Sequence, residues 1–270
     1  LPARKARAAK TATRKVAAMN DTRRTILVPI DLHGIAPSTL ETLIGIARQL
    51  DRNLLGLFLE DVRLQQVADL PFTTEIVLSS GRERGLLRGD LSRRHSQVAE
   101  DTRRLLRELA HRDRITLEFE NAAGTRWHCA LERDGRLDIF FPPRRRWQGD
   151  MRARPVRRPI QRLGLVLAGG EEDARTLAAA SALMRANLVA DLYLLCEFPP
   201  TSEQLHRLNY PGCRICVQSN LHLHADTVTS LIRLSPYQLL LLPRSCLRAV
   251  PDDVLDAALD RSGGQVLVIN

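Results

Sequence analysis

The chain has 270 residues, 44% hydrophobic and 26% charged, with both kinds interleaved as in globular domains rather than disordered segments. Its net charge is +9, but six basic residues (Arg4, Lys5, Arg7, Lys10, Arg14 and Lys15) lie within residues 1–18 with no acid beside them, leaving +3 for the rest. No apolar run approaches the roughly 20 residues of a transmembrane helix, so no membrane partner is expected, and an odd count of five cysteines fits reduced thiols in a cytoplasmic protein better than a disulfide framework.

All three lysines stand in residues 1–18, and every later basic residue is arginine. That shift sets the tail apart from the domain that follows, and Met19 is taken as the natural start. The alternatives are a polycation for nucleic acid or acidic lipid and an Arg-rich targeting presequence. Ile26 to Ile30 is a nearly continuous apolar run ending at Asp31, the pattern of a buried parallel strand whose carboxyl end reaches a polar crevice. Pro29 cannot donate to a ladder and points to an irregular or edge position. Ser38 with Glu41 forms a capping box for a helix whose Leu40, Leu43, Ile44, Ala47 and Leu50 face the sheet. Asp51 to Asn53 turns the chain into a second strand at Leu54 to Leu59. Moving 137 residues on without a gap, Thr25 to Glu60 falls on Arg162 to Glu197 with the same strand, helix, strand pattern, which reads as a duplication.

The segment from 61 to 114 interrupts the first copy. Val62, Leu64, Val67 and Leu70 suggest a short helix broken at Pro71, then a polar stretch punctuated by Gly81, Gly85 and Gly89, then a helix over Gln97 to His111. Strands follow at Ile115 to Phe119 and Leu137 to Phe141, with a helix over Thr125 to Arg133 between them. Between Arg144 and Arg162 stand eight arginines and one Asp, an abrupt change read as a solvated linker. Arg144, Arg145 and Arg146, with Trp147 for stacking, are the candidate phosphate or nucleic-acid contact on the alternative reading. Further on, strands are expected at Leu163 to Ala168, Leu192 to Cys196, Arg214 to Gln218, Gln238 to Leu242 and Gln265 to Ile269. Helices are expected at Asp173 to Ala186, His222 to Leu234 and Asp252 to Arg261. The fold class is therefore α/β: two tandem, doubly wound parallel sheets, with a first domain at 19–143, a linker at 144–161 and a shorter second domain at 162–270.

The run Ile26 to Asp31, the strand ending at Glu60, the apolar strands before Pro142 and Pro243 and the closing strand at Gln265 to Ile269 resemble the universal stress protein family, within the adenine-nucleotide alpha-hydrolase-like superfamily. The resemblance implies an Asp at the end of the first strand near adenine and ribose, and a Gly-x2-Gly-x9-Gly-Ser/Thr loop after the fourth strand whose amides cradle phosphate. Asp31 keeps the first feature, and Leu32 and His33 beside it complete the candidate ligand site; the alternative for Asp31 is a loop cap. The glycine loop is absent, because Pro142, Pro143 and three arginines follow Phe141, while Pro243, Arg244, Ser245 and Cys246 follow Leu242. In the second half Ala168 replaces the Asp. Gly169, Gly170, Glu171, Glu172 and Asp173 form a strand-to-helix loop whose acids cap the helix and would repel phosphate.

No metal is expected. Cys213 and Cys216 followed by His222 and His224 have zinc-like spacing, but two cysteines three apart on a strand face opposite ways and two histidines two apart on a helix diverge by about 200°. His33, His95, His111 and His128 stand singly. The expected function is that of a non-enzymatic, universal-stress-like protein acting on a protein partner or a small ligand. Residual ATP or AMP binding or hydrolysis at Asp31, and nucleic-acid association through the arginines and the tail, are the alternatives. No cofactor is expected. The resemblance also implies pairing of two chains through Val266 to Ile269, unless the duplication satisfies that edge within one chain.

Overall fold

A computed structural model describes residues 24–60, 62–77, 80–131, 133, 136–143 and 159–270; the basic tail, Met19 and Arg144 to Arg146 lie outside them. The strands are β1 Thr25–Ile30, β2 Asn53–Glu60, β3 Thr74–Val77, β4 Arg82–Gly85, β5 Leu117–Ala123, β6 Asp138–Phe141, β7 Ile160–Leu167, β8 Val189–Cys196, β9 Arg214–Gln218, β10 Leu239–Pro243 and β11 Gln265–Ile269. The helices are α1 Pro37–Gln49, α2 Val62–Ala68, α3 Arg88–Arg112, α4 Arg126–Leu131, α5 Asp173–Arg185, α6 Ser202–Leu208, α7 Ala225–Leu234 and α8 Asp252–Asp260. Among the described residues no helix is long and apolar enough to cross a membrane.

Nine strands form one sheet in the order β5-β2-β1-β6-β11-β10-β7-β8-β9, and β3 pairs with β4 in a separate ribbon. The order β5-β2-β1-β6 in the first half is the order β9-β8-β7-β10 in the second. All neighbours in the large sheet run parallel except β6 and β11, where Phe141, Phe140 and Ile139 lie opposite Val266, Leu267 and Val268. Among the described residues the first half adds no strand to this sheet beyond β6, and β11 of the second half stands beside β6. Val266, Leu267 and Val268 therefore have strand neighbours on both sides, β10 and β6, while Ile269 pairs with β10.

Strand alternation divides the core. Ile26, Val28 and Ile30 face one side with Leu40, Leu43, Ile44 and Ala47 of α1, Leu106 of α3 and Leu183 of α5. Leu27 and Ile139 face the other side with Trp127 of α4, Ile232 of α7 and Leu255 of α8. Pro29 is tolerated in a central strand because the short β6 pairs with β1 only at Ile26 and Leu27, so Pro29 lies beyond that ladder.

Several local expectations shift. Helix α1 starts at Pro37 rather than after a Ser38 cap, with Ala36 as the N-cap and no side-chain cap bond. Proline at the first helical position has its φ already set and lacks only an N–H that would be unsatisfied there, so it wins over the capping box two residues on. Helix α3 begins nine residues before Gln97, and its first two turns bury Leu91. The fifth strand in chain order runs to Ala123 rather than Phe119, alternating half-buried and exposed residues as a sheet edge does. His222 and His224 precede α7 instead of lying on it, and their rings stack 5.9 Å apart. Helix α6 has no expected counterpart. Its Thr201–Gln204 capping box has both hydrogen bonds in place.

Candidate functional site

In an open α/β sheet, ligands bind outside the carboxyl ends of the strands, so each half offers one crevice. In the first half β1 ends at Ile30 and the chain turns at Asp31. The Asp31 Oδ1 accepts from the His33 N–H at 2.9 Å, and the Asp31 carbonyl accepts from the Gly34 N–H at 3.0 Å with Gly34 at φ 63°. Asp31 thus shapes its own turn. Helix α3 lies over the space beside it: His95 Nε2 is 3.0 Å from the Leu59 carbonyl, Leu91 is buried, and Val98 Cγ1 stands 3.3 Å from where a Cβ on Gly34 would be. What remains is a cavity of about 80 Å³, with Leu32, Glu60, Leu91, Ser92 and His95 among its lining residues. Pockets for drug-sized ligands begin near 300 Å³. With Leu91, Ser92 and His95 of α3 on its wall, the cavity beside Asp31 is smaller than such a pocket. The sequence misses this because residues 88–96 carry one apolar residue, Leu91, and no helical repeat.

The second crevice is roomier and is organised by two acids. Asp173, at the first turn of α5, turns its carboxylate back onto the loop: Oδ1 accepts from the Ala168 N–H at 3.1 Å and Oδ2 from the Gly169 N–H at 2.7 Å. Glu172 reaches across to the 3-10 turn Arg244–Leu247 after β10, where its Oε2 accepts from the Ser245 N–H at 2.7 Å and its Oε1 from Arg248 Nη2 at 3.2 Å. These acids were expected to cap α5; instead they bind loop amides, because side chains at a helix start lean toward its N-terminal side. Each of the two loops, after β7 and after β10, presents backbone N–H groups to a carboxylate of the same chain. Ser245 Oγ and Arg244 Nη1 are buried beside them without hydrogen-bond partners among the described residues.

Burial pushes Asp173 above its ordinary 3.8 more strongly than the amides of Ala168, Gly169 and Gly170 pull it down, and neighbouring Glu172 adds to the rise. Burial, with Asp173 second, pushes the Cys196 thiol up to about 11 and the Cys246 thiol up to about 12. Both thiols stay protonated at neutral pH and are poor nucleophiles. Outside the acids, a cleft of about 330 Å³ opens between Gly169, Glu171 and Leu177 on one side and Thr201, Glu203 and Arg207 on the other. Glu203 already holds Arg207 in an ion pair, so that cation is not available to an incoming anion without competition.

A pH dependence follows from Asp173. Because its pKa is raised in the folded chain, the folded state holds the proton more tightly than the unfolded one, so this group's contribution is fully present below about 3.8 and is lost as pH rises through the folded value. In thermal melts across the acid range, Asp173→Asn should gain on the parent chain as pH rises from about 3.8; a constant or reversed difference would contradict the burial argument.

The remaining sequence candidates are not brought into either crevice. Cys213 lies in the turn before β9 and Cys216 within it, no disulfide joins any of the five cysteines, and among the described residues no three His, Cys, Asp or Glu groups are arranged to hold a metal ion. Arg144, Arg145 and Arg146 fall outside the described residues.

No protein-family model matches the chain, and no curated protein matches it. Among solved structures it is similar to a universal stress protein from Archaeoglobus fulgidus DSM 4304, with a TM-score of 0.46 and 12% sequence identity over 91% of this chain and 96% of that one.

Proposed function

We propose that this chain is a non-enzymatic, universal-stress-like protein that works by engaging a protein or a small non-nucleotide ligand, both of its nucleotide crevices being closed to phosphate. The observation that carries this reading is the pair of carboxylates, Asp173 on Ala168 and Gly169 and Glu172 on Ser245, that take up the amides a phosphate would need. Helix α3 has the same consequence in the first half by occupying space. The cleft of about 330 Å³ beside α6 is large enough for a small ligand, and its Glu171 and Glu203 favour a neutral or cationic one. The protonated Cys196 and Cys246 and the engaged His95 favour binding over covalent catalysis. Cysteines outside any disulfide fit a reducing, cytoplasmic compartment. The common strand order, with β1 and β2 falling on β7 and β8 at the 137-residue offset, supports a tandem origin of the two halves.

Calorimetric titration of the full chain with Mg-ATP and with AMP tests the reading. The expected result is no saturable heat at ligand concentrations up to about 1 mM, the weak end of ordinary affinities. Micromolar ATP binding that is lost in Asp31→Ala would replace this reading with nucleotide binding in the first half.

A further inference from the structure

The loop between β9 and α7 places two histidines in a way the sequence conceals. Asn220, at φ 62°, turns the chain out of β9, and the segment from Leu221 runs up to α7, where His224 is extended at φ −73° and ψ 166°. Side chains alternate along it. Leu221 and Leu223 are half-buried and pack on the core beneath, while His222 and His224 are exposed. Residues two apart on extended backbone share a face, whereas on a helix the same two would diverge by about 200°. The argument against a metal at these histidines rested on the helix, and it lapses once α7 starts at Ala225. Their rings lie side by side, with centroids 5.9 Å apart and planes within 15° of parallel.

The pair is held from below. The Leu221 N–H donates to the carbonyl of Cys196, the last residue of β8, at 3.0 Å, and the His224 carbonyl accepts from the Val228 N–H of α7 at 3.0 Å. The backbone that spaces the two imidazoles is therefore tied at both ends. Among the described residues neither ring has a hydrogen-bond or ion-pair partner, so both are free to turn toward a common ligand. They stand beyond the carboxyl ends of β8 and β9, the side of an α/β sheet on which ligands bind.

Two imidazoles on one face offer a chelate. With metal–nitrogen bonds of about 2.0–2.1 Å, two rings on one ion at a right or tetrahedral angle have centroids roughly 4.5–5.5 Å apart. Small rotations of two exposed side chains reach that spacing from 5.9 Å. Imidazole suits zinc, copper and nickel, while magnesium and calcium prefer oxygen. We propose that His222 and His224 form a bidentate site for a late first-row divalent ion, Zn(II), Ni(II) or Cu(II), whose other positions are open to water or to a ligand from solution. Since no third His, Cys, Asp or Glu among the described residues joins them, the site is an open one, unlike the closed four-ligand sites that hold folds together.

Calorimetric titration of the full chain at neutral pH with nickel, zinc and magnesium chlorides tests the proposal. One equivalent of Ni(II) or Zn(II) is expected to bind in the micromolar range, and Mg(II) not at all. His222→Asn and His224→Asn should each weaken Ni(II) at least about 30-fold, because a second ligand held beside the first acts at high effective concentration. Both side chains are exposed, so metal-free melting temperatures equal to the parent's separate lost coordination from lost folding. A loss of only about twofold per histidine, the behaviour of two independent imidazoles, overturns the proposal, as does an absence of binding up to about 1 mM. Binding that survives both histidine changes and is lost when Cys213→Ser and Cys216→Ser are combined overturns it in favour of a thiol site.

Discussion

Asp138→Ala is expected to destabilise the chain by about 3–5 kcal/mol, the usual cost of removing one partner from a buried ion pair. Asp138 is fully buried at the start of β6. Its Oδ2 accepts from Arg52 Nε at 3.0 Å and its Oδ1 from the Asn270 N–H at 3.0 Å. Arg52 is also held by the Leu50 carbonyl at 2.9 Å, and Arg24 Nη1 donates to the Asn270 carbonyl at 2.6 Å. One carboxylate thus joins the turn before β2, the start of β6 and the residue after β11, next to the antiparallel junction between the halves. Alanine would leave the Arg52 guanidinium and the Asn270 amide facing a space without an acceptor. Thermal unfolding is the readout, with a fall of roughly 10 °C for a chain of this length. Because the two residues share one interaction, Asp138→Ala and Arg52→Ala together should cost less than the sum of the single changes. A melting temperature within a degree of the parent would show that the junction does not depend on this pair.

The second large effect is expected at Trp127, which is buried to 2% exposure although it sits on the short helix α4. Its indole Nε1 donates to Asp252 at 3.1 Å and its backbone N–H to Asp256 at 2.9 Å, both acids lying on α8 in the other half. Its ring packs against Phe141 at a centroid separation of 5.8 Å. Trp127→Ala removes the largest apolar group at this clasp and should cost about 3–5 kcal/mol. Trp127→Phe keeps most of the packing and loses one hydrogen bond, so about 1 kcal/mol of the loss should remain. Urea unfolding followed by circular dichroism distinguishes the two contributions. One cooperative transition is expected for both halves in the parent chain, since β6 and β11 belong to one sheet; two separated transitions would show that the halves unfold as independent domains.

Strands buried on both faces declare themselves by composition alone. β11 lies where its apolar run places it, β9 keeps its expected bounds although it is a largely exposed edge strand, and β1, β7 and β10 shift by one to three residues. The helices α1, α5 and α8 are legible for the complementary reason, an apolar stripe at helical spacing. What the sequence hides is non-local. The pairing of Ile139 with Val268 spans 129 residues and has no local pattern to announce it. The ribbon β3–β4 is equally silent, because Arg82 to Gly85 are all exposed and carry no alternation. In the candidate site, the missing glycines and the acids after Ala168 are visible as residue types, and they already argue against phosphate. Their partners are not: Glu172 meets the Ser245 amide 73 positions away, and His95 meets the Leu59 carbonyl across the inserted segment. Asp31, the residue on which a nucleotide reading turns, proves to shape its own loop through His33.

The central claim is that the chain's own carboxylates occupy the amides a nucleotide phosphate would use, and those amides can be watched individually. In ¹H–¹⁵N correlation spectra of the full chain, the signals of Ala168, Gly169 and Ser245 should stay in place while Mg-ATP is added to millimolar concentration. The same three signals should move in Asp173→Ala and Glu172→Ala without any ligand. Saturable displacement of Gly169 and Ser245 by Mg-ATP in the parent chain would contradict the account.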